Sequence, residues 1–426
     1  MSTEVIALVV ILALLLFTST PIAMALGLTS FVYLYWFTTI PLTQVVERLF
    51  NALNSFPLMA IPFFVLAANI MTRGGISRRL TDFGNALVGQ YRGGMAMTAV
   101  LACMFFAAVS GSSPATVVAV GTLLIPAMIR AGYPKQFSTG LIATSGSLGI
   151  LIPPSIPLIV YGIATETSIG DLFVAGILPG VMAGLMLLGM AVWVSRRNNY
   201  GSSGGEERPK GFRRRALRDA VLALMLPVIV LGGIYGGFFT PTEAAAASVA
   251  YSLLVSMVIY RELKIKDLGK VLLGSAKTSA MIMFIIANGI LFTFVLAAER
   301  IPLQVTEGIA AMNLQPWQFL LIVNLLLLIV GCFMETSSAL LILAPILLPV
   351  ALDMGVDPVH LGIIMVMNLE IGMITPPLGL NLFVASGLSG MSVLQVAKAA
   401  LPSAGVLLTA LLIVTYIPFI ALSLVP

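Results

Sequence analysis

Charged residues are scarce in this sequence. Only 9% of its 426 residues are Asp, Glu, Lys or Arg, whereas 59% are hydrophobic, and the mean hydropathy is +1.07. A soluble domain has about 25% charged residues, so this composition excludes a soluble domain. Apolar stretches of about 20 residues, enough to cross a hydrocarbon core of about 30 Å, recur along the chain. The composition therefore predicts an all-α, multi-pass integral membrane protein.

Residues that common enzyme sites require are also missing or rare. His360 is the only histidine, so no HExxH zinc-binding helix can form. The pair Lys277-Thr278 follows alanine rather than glycine, so it does not complete a GxxxxGK[ST] phosphate-binding loop. Cys103 and Cys332 lie inside apolar runs and do not indicate a disulfide framework. We therefore predict that the protein is not an enzyme, uses no nucleotide and takes its energy from an ion gradient.

The basic residues lie in short segments between apolar stretches, which favours orientation signals over a nucleic-acid surface. The longest such segment, 196–218, is predicted to be a cytoplasmic loop. Its basic residues are Arg196, Arg197, Arg208, Lys210, Arg213, Arg214, Arg215 and Arg218. Two predicted spans, 220–238 and 243–260, then return the chain to the same side, where a second basic group begins at Arg261.

The two halves of the sequence repeat each other. Residues 110–132 align without a gap with residues 333–355, and GILIPP at Gly149 overlays GMITPP at Gly372. Gly and Pro positions that recur at one offset indicate an internal repeat rather than shared low complexity. Basic residues flank segment 93–129 and acidic residues flank its counterpart, so the edges of the two copies are predicted on opposite sides of the membrane. Inverted repeats of this kind are typical of secondary transporters.

Each copy contains a segment that is predicted to enter and leave on one side. Segment 93–130 is interrupted at Ser110–Pro114, and an arm of about 17 residues reaches only about 25 Å. We predict re-entrant helical hairpins at 93–130 and 316–352, with the second tip at Glu335–Ser338. The helices that follow, 134–165 and 358–390, are predicted to break at their proline pairs.

Hairpin tips at membrane depth require a cavity or protein partners for their free backbone groups. Carbonyl and hydroxyl oxygens there suit a hard cation such as Na⁺, and N–H groups at half-helix starts suit a substrate carboxylate. The candidate Na⁺ ligands are Ser110, Gly111, Ser112, Ser113, Gly149, Pro153, Thr336, Ser337, Ser338, Gly372, Thr375, Gly379 and Asn381. The candidate substrate contacts are Ser110, Ser112, Ser155, Arg300 and Glu335.

Structural explanations compete with these assignments. Small residues also allow helices to pack closely, and proline pairs also make simple kinks. A carboxylate at a tip, such as Glu335, is costly unless it is functional or paired. Glu370 fits a packing or pairing role better than a site. Arg300 either receives an anionic substrate or partner, or pairs with Glu299 or extends to the interface.

Five motifs together resemble the large membrane subunit of tripartite ATP-independent periplasmic (TRAP) transporters. They are SGSSPAT at 110–116, GILIPPS at 149–155, FFTPTEAAA at 238–246, METSS at 334–338 and GMITPPLGLNLF at 372–383. The resemblance implies a Na⁺-coupled importer of the bacterial inner membrane that works by an elevator motion. It also implies a small four-helix membrane subunit and a soluble periplasmic binding protein as partners. Implied substrates are C4-dicarboxylates, keto acids or sialic acids.

This interpretation divides the chain into five parts: N-terminal scaffold helices (1–56), the first repeat (57–195), the basic loop (196–218), central scaffold helices (219–276) and the second repeat (277–426). Two alternatives remain open. A passive anion channel would need no coupling ion, and a one-component Na⁺/dicarboxylate symporter would need no binding protein.

Overall fold

The computed structural model describes residues 3–18, 20–201, 211–310, 312, 314–377 and 379–425. Within these ranges every regular element is helical, which confirms the all-α prediction. The helices are α1 Thr3–Phe17, α2 Ile22–Phe37, α3 Thr43–Leu53, α4 Ala60–Arg73, α5 Ile76–Val88, α6 Gly94–Ser110, α7 Ser113–Arg130, α8 Lys135–Ser145, α9 Ile156–Thr165, α10 Ile169–Arg197, α11 Phe212–Tyr235, α12 Pro241–Leu253, α13 Ile265–Ala298, α14 Ile301–Ala310, α15 Pro316–Gly331, α16 Thr336–Asp353, α17 Pro358–Gly372, α18 Leu380–Ser389, α19 Val393–Tyr416 and α20 Phe419–Leu422. Short 3-10 turns lie at Phe56–Met59 and Gly146–Ile150, and α12 continues as a π-helix over Leu254–Ile259.

The helices are long and apolar enough for a multi-pass membrane protein. Among the described residues, eight helical segments have the length and composition to cross a membrane. They are Phe56–Arg73, Ser113–Arg130, Ile169–Arg197, Phe212–Tyr235, Pro241–Ile259, Ile265–Ala298, Thr336–Asp353 and Val393–Tyr416. Many of their apolar side chains are exposed, as lipid-facing positions require.

The same order of helices occurs twice. Helices α6 to α10 form a pair, a broken helix and a long helix, and α15 to α19 repeat that order. The paired helices have 17 and 18 residues in the first copy and 16 and 18 in the second. At 1.5 Å per residue α6 and α15 are about 24–26 Å long, which is short for a full crossing, whereas α7 and α16 at about 27 Å are among the eight segments long enough for one.

The two copies pack into each other rather than side by side. The second arm of each hairpin contacts the second half of the other copy's broken helix, because α7 packs on α18 and α16 packs on α9. Likewise, the first half of each broken helix contacts the other copy's long helix, in the pairs α8 with α19 and α17 with α10. The tips and breaks of both copies therefore meet in one central region.

A second group of helices flanks this interlocked pair. The long helix α13 packs against α2, α3 and α4, and α12 packs against α4 and α11. An ion pair of 2.7 Å between Arg79 and Glu262 joins α5 to the segment after α12. The Arg79 guanidinium also lies 3.7 Å from the centre of the Tyr260 ring.

The basic segment 196–218 is more helical than the sequence suggested. Helix α10 continues through Arg197, and α11 already begins at Phe212. Arginine is a good helix former, and its long side chain can reach the membrane surface from a helix end, so both helices extend beyond the apolar core. Arg208 and Lys210 lie outside the described residues.

Candidate functional site

The first hairpin tip is a two-residue turn closed by hydroxyl groups. Helix α6 ends at Ser110, and Gly111 follows in the left-handed region with φ of +60°, which glycine adopts without strain. The Oγ atom of Ser110 lies 2.8 Å from Oγ1 of Thr116. That Thr116 hydroxyl also donates to the carbonyl oxygen of Ser112 at 2.9 Å. Ser110 and Thr116 are both buried.

The first break contacts this tip through the main chain. A Cβ added at Gly149 would lie 2.6 Å from Oγ1 of Thr116 and 2.7 Å from the carbonyl oxygen of Ser112. The backbone N–H of Ile156 donates to the carbonyl of Gly111 at 3.3 Å. A methyl group there would overlap one hydroxyl and one carbonyl oxygen, so the Gly149 backbone packs directly on both, and we call this contact the Gly149 cradle.

The proline pairs stand at the breaks, as the sequence indicates. The bonds Pro153-Pro154 and Pro376-Pro377 are both cis. Ser155 caps the start of α9, since its Oγ accepts from the backbone N–H three residues on at 3.4 Å. Its hydroxyl is thus engaged in holding the helix start.

The second tip contains a charge. The Glu335 carboxylate caps α16 by accepting from the backbone N–H of Ser338 at 3.1 Å, and it also accepts from the Ser337 hydroxyl at 2.9 Å. The Thr336 hydroxyl lies 3.1 Å from the sulfur of Met373, in the second break. Ser337 and Ser338 are buried, whereas Glu335 is half-buried. The second tip therefore satisfies its backbone with its own side chain.

The second break also lies against its own hairpin. A Cβ at Gly372 would approach the carbonyl carbon of Gly331 to 2.3 Å, so the two backbones touch. The Thr375 hydroxyl donates to the carbonyl four residues earlier at 2.8 Å. Gly379 has φ of +41° and precedes α18, on which Asn381 is fully buried.

One buried cluster joins the two copies, and we call it the inter-repeat clamp. It consists of Ser113, Ser147, Glu370 and Asn381. The Ser113 hydroxyl donates to Oε1 of Glu370 at 2.5 Å. The Asn381 amide lies within donating distance of Ser113 Oγ at 2.5 Å, Glu370 Oε1 at 3.0 Å and Ser147 Oγ at 3.4 Å. The clamp thus connects the first tip to both sides of the second break.

The sequence predicts a packing or pairing role for Glu370 but does not indicate which residues form hydrogen bonds with it. The pairing part of that assignment agrees with the structure, but the partner Ser113 stands 257 residues away. A signal did exist, because Ser147 stands two residues before Gly149 as Glu370 stands two before Gly372. Equivalent positions of the two copies meet where the copies interlock.

Two cavities accompany these elements. A space of about 20 Å³, enough for one water molecule, is lined by Ser147, Glu370 and apolar side chains. A larger space of about 890 Å³ lies between the ends of α9 and α11 and the starts of α10 and α12. Its lining includes Glu166 and Asp171 but neither tip. The large cavity is therefore separate from the candidate cation ligands.

Among the described residues, no hydrogen bond or ion pair joins the Arg300 side chain to either tip. It follows α13, is exposed and has φ of +53°. Within the described ranges its side chain makes no ion pair with Glu299. Any effect of Arg300 on an anion must therefore act at the surface.

The donor types at both tips suit a hard monovalent cation. Oxygen atoms from hydroxyls, a carbonyl and one carboxylate lie there, and oxygen is the ligand that hard cations prefer. The part of the chain that the structure describes contains no group of three or more His, Cys, Asp or Glu that could hold a metal ion. At the first tip, the Thr116 hydroxyl and the Ser112 carbonyl oxygen pack directly against the Gly149 backbone, an approach that only glycine allows.

The family model for the DctM component of the tripartite ATP-independent periplasmic transporter matches residues 9–420. A C4-dicarboxylate TRAP transporter large permease protein of Pseudomonas aeruginosa is 50% identical over 403 residues, covering 94% of this chain and 93% of the relative. An isethionate TRAP transporter permease protein, DctMQ, of Oleidesulfovibrio alaskensis is 44% identical over 408 residues, covering 96% of this chain and 64% of the longer relative.

A solved structure has a similar fold. The Alcanivorax borkumensis YdaH transporter, whose crystal structure has an unusual topology, superposes with a TM-score of 0.66. The match covers 90% of this chain and 89% of that one at 16% sequence identity. At this identity the likeness concerns the fold alone.

Proposed function

Because the chain belongs to the tripartite ATP-independent periplasmic transporter family, as its DctM component, we propose that it imports an organic acid with Na⁺ as the coupling ion. The protein is a transporter permease subunit and not an enzyme. The observation that carries sodium coupling is the Gly149 cradle, where the Thr116 hydroxyl and the Ser112 carbonyl oxygen lie side by side against the glycine backbone. Glu335 and its neighbouring hydroxyls supply the corresponding oxygens at the second tip.

The substrate belongs to the organic acids, and a C4-dicarboxylate is the first to test. A relative at 50% identity is a C4-dicarboxylate permease, but one at 44% is an isethionate permease. The permease sequence therefore does not settle the acid by itself. We place substrate selection largely in a periplasmic binding protein, with Ser110, Ser112, Ser155 and Glu335 near the transported anion.

We propose two partners, a small membrane subunit and the periplasmic binding protein. The isethionate relative, DctMQ, is longer than this chain, which supports a second membrane unit beside the DctM part. The protein resides in a bacterial inner membrane in this proposal. The interlocked copies move as one body against α2, α3, α4 and α13, which is the elevator motion.

The deciding experiment is uptake into proteoliposomes that contain the chain, the small subunit and the loaded binding protein. We expect uptake of labelled substrate with an inward Na⁺ gradient and none when K⁺ replaces Na⁺. Undiminished uptake in K⁺ would exclude sodium coupling. Omitting the binding protein tests the one-component symporter, and flux that only follows the substrate gradient would indicate a channel.

A further inference from the structure

The inter-repeat clamp joins the first tip to the second break, which contains the candidate cation ligands Gly372, Thr375, Gly379 and Asn381. Ser113 is the first residue of α7 and follows the first tip directly. Glu370 and Asn381 stand on either side of the second break, at the end of α17 and the start of α18. Hydrogen bonds of 2.5, 2.5 and 3.0 Å among these three side chains connect one site to the other.

The polar groups of the clamp are buried, so losing any of their hydrogen bonds is energetically unfavourable. Glu370 is 3% exposed, and Ser113 and Asn381 are fully buried. A carboxylate in an apolar interior is strongly destabilising unless hydrogen bonds satisfy it. Moving the first tip away would remove the Ser113 donor from Glu370 and leave that carboxylate with fewer partners. The positions of the first tip and the second break are therefore linked.

We propose that Glu370 and the Ser113 hydroxyl are positioning groups that couple cation binding at the first tip to cation binding at the second break. The inference rests on the proposed sodium coupling. A cation that orders the first tip fixes Ser113 and, through Glu370 and Asn381, the start of α18. The second cation then meets an ordered site and binds more tightly. By linkage, each cation strengthens the other by the same factor.

A thermodynamic cycle on the full chain in lipid nanodiscs tests this coupling. Na⁺ binding is measured by isothermal titration calorimetry, and Gly149→Ala disables the first site because the added methyl group displaces the Thr116 and Ser112 oxygens. With the clamp intact, we expect Gly149→Ala to weaken Na⁺ binding at the remaining site by about fivefold or more, a usual size for coupling between sites. In a Ser113→Ala background the same change should have less than about a twofold effect.

Ser113→Ala removes only the hydroxyl and leaves the backbone of the tip in place. Ser113→Thr, which keeps a hydroxyl, should restore the coupling. Glu370→Ala should abolish it too, and because Glu370 is not a candidate Na⁺ ligand, this result excludes the explanation that Ser113→Ala merely removes a ligand of the first cation. Thr415→Val is the matched control, because it removes a buried hydrogen bond of 3.2 Å to Asn324 that lies within the second copy. The control should retain the full fivefold effect.

The outcomes separate the two proposals. Equal weakening by Gly149→Ala with and without the Ser113 hydroxyl overturns the coupling and leaves the sodium site standing. Loss of coupling in Thr415→Val as well as in Ser113→Ala also overturns it, since any buried hydrogen bond would then suffice. If the wild-type chain binds no Na⁺, both the proposed function and this inference fail.

Discussion

The two hairpin tips satisfy the hydrogen bonds of their polar groups with different side chains. The first tip has no charged side chain, and its hydroxyls and carbonyls satisfy one another within a turn of two residues. The second tip has a carboxylate, Glu335, that accepts from the backbone and side chain of the next residues. The first tip packs directly on the Gly149 backbone of the first break, whereas the Glu335 side chain at the second tip remains half-buried.

This difference indicates that the first tip depends on shape and the second on charge. A neutral cradle keeps its oxygens in place only while the neighbouring backbone stays close. A carboxylate at a helix start contributes both a cap and a favourable interaction with the helix dipole. Changes in volume should therefore damage the first tip most, and changes in charge should damage the second.

The largest expected effect concerns the sides on which the two hairpins open. Single cysteines at Arg78 and Lys135, in a background without Cys103 and Cys332, should react with a membrane-impermeant thiol reagent only from the cytoplasm. Cysteines at Glu307 and Asp357 should react only from the periplasm. All four positions are exposed, so each can be labelled.

The labelling result is all or none for each position. If the cysteines at Arg78 and Lys135 label from opposite sides, the segment between them crosses the membrane completely. The re-entrant hairpin and the inversion of the two copies would then be wrong, and the comparison of the tips would lose its basis.

The next largest effect is expected at the Gly149 cradle. In Gly149→Ala the new methyl group would lie 2.6 and 2.7 Å from two oxygens, one of them main-chain. Overpacking of this kind costs about 1–3 kcal/mol. Since about 1.4 kcal/mol is a factor of ten, this range corresponds to roughly 5- to 150-fold, and Na⁺-driven uptake should fall about fivefold or more.

Gly189→Ala is the matched control for that change. Gly189 lies in α10, and a Cβ there would meet no heavy atom within 4 Å. Uptake by this variant should equal that of the wild type in the same proteoliposomes. Equal uptake by Gly149→Ala would mean that the first tip does not depend on shape.

A moderate effect is expected at the second tip. Glu335→Ala removes the cap of α16 and should lower the free energy of unfolding by about 0.5–2 kcal/mol. Ser112→Ala is the comparison at the first tip, because Ser112 makes no side-chain cap bond to α7. Thermal unfolding in nanodiscs should show a clear decrease for Glu335→Ala and a smaller one for Ser112→Ala. Equal decreases would remove the distinction between charge and shape.

The sequence allowed the fold to be predicted because its breaks have local causes. Glycine and proline disrupt helices wherever they stand, so the tips and breaks could be located from residue types alone. Hairpin lengths followed from the distance between the breaks. The repeat then gave the order of helices in the second half from that in the first.

The clamp could not be predicted in this way. Its hydrogen bonds join residues 257 and 268 positions apart, and no local pattern specifies which buried groups meet after the copies interlock. Ser155 shows the same limit at short range. Its hydroxyl is a candidate substrate contact, and the structure adds a helix-capping role that was not predicted, although a serine before a helix commonly caps it.

The smallest expected effect concerns Arg300, which lies apart from both tips. Arg300 is exposed, so its charge can act on an approaching anion only through solvent. Arg300→Gln should raise the half-saturating concentration of loaded binding protein roughly two- to threefold at low salt, since exposed charges contribute little.

Salt and a second arginine make this last prediction specific. The effect of Arg300→Gln should disappear at about 1 M salt, where the screening length is about 3 Å. Arg261 is also exposed with positive φ but is predicted on the cytoplasmic side, so Arg261→Gln should leave the half-saturating concentration unchanged. A tenfold effect of Arg300→Gln that persists at high salt would instead place Arg300 in direct contact with the substrate or the binding protein. The functional surface would then extend beyond the two tips, and their comparison would describe only the cation sites.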